Sequence, residues 1–151
     1  MNTNDIRLLI SDLGARLAYG TMLYITYGHY DGPEQLFGVY ADGNYAMVND
    51  KYYIDEVKPY LRKPSDMTEE EIDKINMMYD AVLKRVAIKT REGLKMYGQM
   101  TSAIYAQFCY ARHIDLNGLI EKGLALEAPA DMYDMSECDE ADAILERITI
   151  V

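Results

Sequence analysis

The joint between Lys58-Pro59-Tyr60-Leu61-Arg62-Lys63-Pro64 and Thr68-Glu69-Glu70-Glu71 constrains this chain more than any other stretch. Two prolines in seven residues resist both helix and central strand, so 58–64 reads as a connector. The four residues after it have the spacing of a capping box. The Thr68 hydroxyl can accept from the Glu71 amide while the Glu71 carboxylate reaches back to the Thr68 amide. Met67 and Ile72 have the spacing of a hydrophobic staple, and three glutamates suit the positive end of a helix. Ile72, Ile75, Tyr79, Val82 and Val86 then form one apolar stripe, with Lys84, Arg85 and Lys89 late in the run. The pattern predicts a helix over 68–91, stopped by Gly93.

Ahead of the joint, Ile6, Leu9, Ile10, Leu13 and Leu17 recur at helical spacing, which predicts a helix over 5–17 capped by Asn4 or Asp5 and ended near Gly20. Residues 21–27, 36–40 and 44–48 read as strands, and 52–54 as a short strand or turn. Turn chemistry stands at Gly28, Asp31-Gly32-Pro33 and Asp42-Gly43. Behind the joint, a helix is expected over 99–112 with Ile104, Phe108 and Ala111 inward, and a shorter one over 116–122 ending at Gly123. The last expected element is a helix over 136–148, with 148–151 as an alternative strand. The expected fold is α+β: a small antiparallel, SH3-like sheet of three to four strands packed with three to five helices. One domain over 1–130 precedes an acidic helix or tail over 131–151.

Half of the 151 residues are hydrophobic, enough for a sizeable core. The net charge is −10, and it is uneven. Residues 1–62 carry net −3 and residues 63–112 net +1, whereas residues 113–151 carry two basic and ten acidic side chains, net −8. Such acidity argues against duplex nucleic acid as a partner. Two cysteines, Cys109 and Cys138, fit a reducing cytoplasm. The N-terminal residues lack the pattern of a signal peptide, and no apolar run approaches the ~18 residues of a membrane span. A soluble cytoplasmic protein is expected, with no membrane partner.

The sequence carries no phosphate-cradling GxxxxGK[ST] or GxGxxG loop, no GxSxG elbow and no HExxH pair. Cys109 and His113, four apart on a predicted helix, have the spacing of an activated thiol or two metal ligands. With no further ligand at recognisable spacing, they read as a buried thiol and a helix-end histidine. The carboxylates of the last quarter do not match a calcium loop. No enzyme activity, metal or cofactor is therefore expected. The composition points to binding instead: 14 Tyr and 10 Met stand against 2 Phe and no Trp, and Tyr and Met suit contact surfaces. Tyr27, Tyr30, Tyr40, Tyr45 and Tyr53, with Tyr24 and Tyr52, fall in the predicted sheet or its turns, where exposed rings can stack on a partner or a base. Lys84, Arg85, Lys89 and Arg91, with Lys95, form the one basic cluster, a candidate anion contact. Asp134, Glu137, Asp139, Glu140 and Asp142 form a candidate acidic contact surface.

Two blocks carry a resemblance. The first is Lys58-Pro59-Tyr60-Leu61-Arg62 with Ser65-Asp66-Met67-Thr68-Glu69-Glu70-Glu71. The second is Asp115-Leu116-Asn117-Gly118-Leu119-Ile120, then Gly123-Leu124-Ala125-Leu126-Glu127-Ala128-Pro129 and Met132-Tyr133. They cover roughly a quarter of the chain. In order and spacing they resemble a family of small proteins carried by phages and prophages of gut anaerobes, which often has Arg where this chain has Asn117. The resemblance implies an origin, not a reaction. It suggests a phage-encoded accessory protein that binds host factors. Together with the missing catalytic motifs, the Tyr and Met excess and the acidic end, the expectation is a protein that acts in the cytoplasm of the infected bacterial host by binding and inhibiting a host immune component. The partner would be a defence protein or a small nucleotide signal, the latter enclosed by a homo-oligomer. The alternative is a phage structural or regulatory interaction domain with no defence role.

Overall fold

A computed structural model of the chain describes residues 1–26, 32–42, 45–86 and 88–134. The chain is α+β and divides into two compact units. One joins Met1–Pro64 to His113–Tyr133; the other holds Ser65–Arg112 and, among the described residues, Asp134. The helix expected over 136–148 and the alternative strand over 148–151 lie outside the described residues.

The first unit opens with α1, Thr3–Ala15. Its cap is Asn2, whose Oδ1 accepts from the Asp5 amide at 2.8 Å, and not Asn4 or Asp5. A 3-10 turn at Leu17–Tyr19 follows and ends at Gly20, whose φ of 69° suits glycine. The strands are β1 Met22–Ile25, β2 Glu34–Gln35, β3 Val39–Asp42, β4 Tyr45–Val48, β5 Tyr52–Tyr53, β6 Val57–Leu61 and β7 Leu126–Glu127. They form two sheets, of order β2-β1-β6-β7 and β3-β4-β5. Leu9 and Leu13 of α1, Leu23 and Ile25, Ala46 and Val48, and Val57 and Leu61 share one core with Leu119 and Leu124. Each leucine buried there stabilises the fold by about 1.5–3 kcal/mol.

The expected connector over 58–64 is in large part strand β6, central in its sheet. Pro59 is tolerated there because of register. Thr26 donates to the Glu56 carbonyl at 2.7 Å, so that pair and, by alternation, Tyr24 with Lys58 are the bonded rungs of the β1–β6 ladder. Pro59 faces Leu23 at a non-bonded rung, and β7 begins only opposite Tyr60. The missing N–H therefore costs the sheet no bond.

The next bonded rung would pair Met22 with Tyr60, and there the ladder is split by a side chain. The Tyr133 hydroxyl accepts from the Met22 amide at 2.9 Å and donates to the Tyr60 carbonyl at 2.7 Å. Its ring stacks on His113, with centroids 3.6 Å apart and planes 8° from parallel. His113 has a left-handed φ of 61°. Its carbonyl accepts from the Arg62 amide at 2.7 Å, and the Asp115 amide donates back to Arg62 at 2.8 Å. The short helix expected over 116–122 is instead a series of turns. The Asp115 carboxylate accepts from the Leu119 and Ile120 amides at 2.8 and 2.9 Å, and Gly118 and Gly123 take positive φ. The segment then enters β7, parallel to β6.

The second unit packs α2, Glu69–Leu83, against α3, Arg91–Ala111. The capping box forms as expected: the Glu71 amide donates to Thr68 Oγ1 at 3.2 Å and the Thr68 amide to Glu71 Oε1 at 3.0 Å. The other Glu71 oxygen accepts from Arg112 Nε at 2.8 Å, and Glu71 is fully buried. This ion pair turns α2 so that Glu71, Ile75, Met78 and Val82 face inward, and Ile72 of the expected stripe is left 45% exposed. The helix expected over 68–91 ends at Leu83. Gly93 does not stop it but lies in the first turn of α3, its amide donating to the Thr90 cap at 2.9 Å. The helix expected over 99–112 is the latter part of α3, with Ile104, Phe108 and Ala111 buried as expected.

Two predictions follow from these bonds. Thr68→Ala removes a cap and costs about 1 kcal/mol, whereas Glu71→Ala also strips a buried carboxylate from Arg112 and costs about 3–5 kcal/mol. Amide exchange in α2 reads the difference. In the first unit, Tyr133→Phe strands the Met22 amide and the Tyr60 carbonyl at a cost of about 1–3 kcal/mol near pH 7. Burial, above all, pushes the Tyr133 phenol up to about 12 from its ordinary 10. The unfolded chain therefore ionises first, and this contribution, complete below pH 10, is lost as pH rises from 10 towards 12. Denaturant titrations over that range should fall less steeply for the Phe variant.

Candidate functional site

The sheet β3-β4-β5 gathers three of the tyrosines singled out above. Tyr40 pairs with Met47, and Met47 with Tyr53, so one cross-strand row runs Tyr40, Met47, Tyr53. Tyr45, two residues from Met47, points to the same face by strand alternation. The opposite face puts Ala46 and Val48 into the core. Tyr40, Tyr45 and Tyr53 are 54%, 47% and 51% exposed. Tyr45 and Tyr53 meet edge to face, centroids 5.8 Å apart and planes at 82°.

The backbone that presents these rings is fixed by a residue that periodicity did not single out. Asn49 and Asp50 both have positive φ in the turn between β4 and β5, where Lys51 donates back to the Val48 carbonyl at 3.2 Å. Asn tolerates that conformation. The Asn49 side chain then accepts from the Phe37 and Gly38 amides at 2.6 and 3.1 Å and donates to the Gln35 carbonyl at 2.9 Å. Segment 35–38 is thereby tied to the hairpin, and Phe37 is left 74% exposed. An Asn-Asp pair following an alternating run was the available signal.

Below Tyr45 and Tyr53 opens a cavity of about 510 Å³. Ile6, Ala46 and Ile54 contribute apolar wall, and Asp55 and Glu56 contribute carboxylates. Glu56 Oε2 accepts from the Tyr53 amide at 3.2 Å, which holds the 3-10 turn Ile54–Glu56 against β5. On the same hairpin, Lys51 Nζ lies 5.2 Å from the centroid of the Tyr52 ring and 3.5 Å from Glu34. The Tyr52 hydroxyl first, and the Glu34 charge next, hold this ammonium above its ordinary range.

The remaining expected site residues fall elsewhere. Tyr24 and Tyr52 are half-buried, Tyr24 edge to face with Tyr60 at 6.2 Å. Tyr27 and Tyr30 lie outside the described residues, as do Glu137, Asp139, Glu140 and Asp142; Asp134 is described and exposed. Lys84, Arg85 and Lys89 sit exposed in the connection between α2 and α3, and Arg91 begins α3. All four belong to the second unit, not to the unit that carries the tyrosine face. Cys109 is fully buried in α3, where burial and then Cys109 itself push the Tyr105 phenol up to about 12. His113 lies beyond the end of that helix, in the other unit, with Nδ1 3.3 Å from Thr21 Oγ1. Asn117 donates to the buried Asp12 at 2.9 Å. Among the described residues no group of three or more His, Cys, Asp or Glu is placed to hold a metal ion, and no helix is long and apolar enough to cross a membrane.

No protein-family model matches the chain, and no curated protein or solved structure is significantly similar to it.

The edge-to-face contact sets one energetic expectation. A double-mutant cycle of Tyr45→Ala and Tyr53→Ala should give a coupling of about 0.5 kcal/mol, the low end for aromatic pairs, because both rings are half in water. A coupling of zero would mean that the rings do not hold each other in place.

Proposed function

We propose that the protein is a non-enzymatic binding protein that docks on another protein through the face made by Tyr40, Tyr45, Met47 and Tyr53. One observation carries the reading: three neighbouring tyrosines and a methionine share the solvent side of a small sheet whose central strand turns Ala46 and Val48 of its other side into the core. Tyr supplies large contact area at little conformational cost and keeps its hydroxyl for a partner, which is why interfaces favour it. Phe37 extends the apolar area. The resemblance to phage-borne proteins supplies the biological side of the proposal, an accessory protein that binds and inhibits a host immune component.

The test is co-purification from host cells with the wild-type chain and with a Tyr40→Ser, Tyr45→Ser, Tyr53→Ser variant. The side chains are exposed, so the variant should keep its fold, checked by circular dichroism. The reading expects a defence protein held by the wild type and recovered at least ~10-fold less with the variant, the loss of about 1.4 kcal/mol or more expected of an anchoring residue. Equal recovery would overturn the assignment of the face. Recovery of virion components alone would move the protein to the structural class.

A further inference from the structure

The cavity beneath Tyr45 and Tyr53 narrows the chemistry of what docks there. Its wall joins three kinds of group. Met1, Ile6, Ala46 and Ile54 are apolar, Tyr45 and Tyr53 are aromatic rings in edge-to-face contact, and Thr26, Asp55 and Glu56 are polar, the last two carboxylates. Among the described residues no lysine or arginine lines it. At about 510 Å³ it falls within the roughly 300–1,000 Å³ typical of ligand sites.

A partner's aliphatic side chain would fill the apolar part and leave the carboxylates without a counter-charge. An acidic one would meet like charge. A long cationic side chain satisfies all three kinds of wall at once, because its methylene stem packs on the isoleucines while its head lies between ring faces and carboxylates. The chain already holds one of its own cations in this manner, with Lys51 against the Tyr52 ring and Glu34. Arginine fits better than lysine, since a planar guanidinium stacks on a phenol and bonds a carboxylate along its edge.

We infer that the cavity bounded by Tyr45, Tyr53, Asp55 and Glu56 is a receptor for an arginine side chain of the partner protein. This rests on the reading of the tyrosine face as a protein-binding surface and names the residue type that anchors the partner there. Glu56 is the fixed wall, because one of its oxygens is held by the Tyr53 amide. Asp55 is exposed and also lines the cavity.

The test uses N-acetyl-arginine methylamide as probe, titrated into the full chain and followed by NMR of the tyrosine rings and isoleucine methyl groups. The expected result is saturable shifts at Tyr45, Tyr53 and Ile54, half complete at about 1–10 mM, which one cation–π contact with one charge-assisted bond can sustain. The neutral citrulline analogue should bind at least ~10-fold more weakly, and Asp55→Asn should weaken the arginine probe by ~3–10-fold. Raising the salt should weaken it further. Shifts of equal size with citrulline, or none at these residues, would overturn the inference. If the tyrosine face still captures its protein partner while the probe leaves Tyr45 and Tyr53 unmoved, the arginine receptor falls and the functional reading stands. If the probe binds as described but the triple serine variant captures its partner normally, the receptor stands and the reading of the face falls.

Discussion

The buried pair between Asp12 and Arg16 is the contact on which the first unit turns. Both side chains are fully buried, with Nε–Oδ1 at 2.6 Å and Nη2–Oδ2 at 3.2 Å. Taking two charges out of water is costly, and the cost is offset only when the remaining polar positions are also bonded. Here that requirement recruits a distant segment. Arg16 Nη2 donates to the Ile114 carbonyl at 2.8 Å, and Asn117 donates to Asp12 at 2.9 Å. Helix α1 is thereby joined to residues 98 and 105 positions later. The same returning segment places Ile114 beside Arg62, aligns β7 with β6, and brings Tyr133 to the split rung between Met22 and Tyr60. The second unit repeats the device with Glu71 and Arg112, so each unit encloses one arginine–carboxylate pair.

This arrangement separates two uses of polar chemistry. Charges that specify the fold are inside, Asp12 and Glu71 each bonded to an arginine and Asp115 to backbone amides. The tyrosines of β3-β4-β5 are outside, on a sheet whose inner face gives Ala46 and Val48 to the core. Asn49 links the two regimes. By bonding Gln35, Phe37 and Gly38 from within a tight turn, it gives an exposed aromatic surface a fixed backbone, so that little ordering remains to be done when a partner arrives.

Local signals in the sequence were legible where local physics decides the outcome. The capping box, the inward positions of α3, the strands β1 and β4 and the α+β class all follow from periodicity and cap chemistry. What was not legible depends on partners far along the chain. Pro59 looks like a strand breaker until the register turns its nitrogen away from β1. Glu71 looks like a surface cap until Arg112 arrives, and its burial then rotates the stripe that Ile72 was expected to head. The i,i+4 spacing of Asp12 and Arg16 is the same as that of a solvent-exposed pair, and only the return of 114–117 distinguishes them. Of the candidate site, the tyrosine count and the strands that carry it could be read from composition. The shared face needed the pairing of Tyr40 with Met47 and Met47 with Tyr53, and the cavity needed α1 brought beside the 3-10 turn Ile54–Glu56.

The discontinuity of the first unit has a consequence for the protein's synthesis. Residues 1–64 emerge from the ribosome without the segment that meets Arg16, extends β6 and fills the rung beside Met22. At about 5–20 residues per second, the 69 residues from Ser65 to Tyr133 take roughly 3–14 s to make. In that interval α2 and α3, with contiguous sequence and mainly local contacts, can already pack. The N-terminal sheet waits with one ladder position unfilled and the cation of Arg16 not yet enclosed. A nascent chain that has emerged only as far as Arg112 therefore carries the whole α2–α3 pair behind a sheet that still lacks β7 and the Tyr133 hydroxyl.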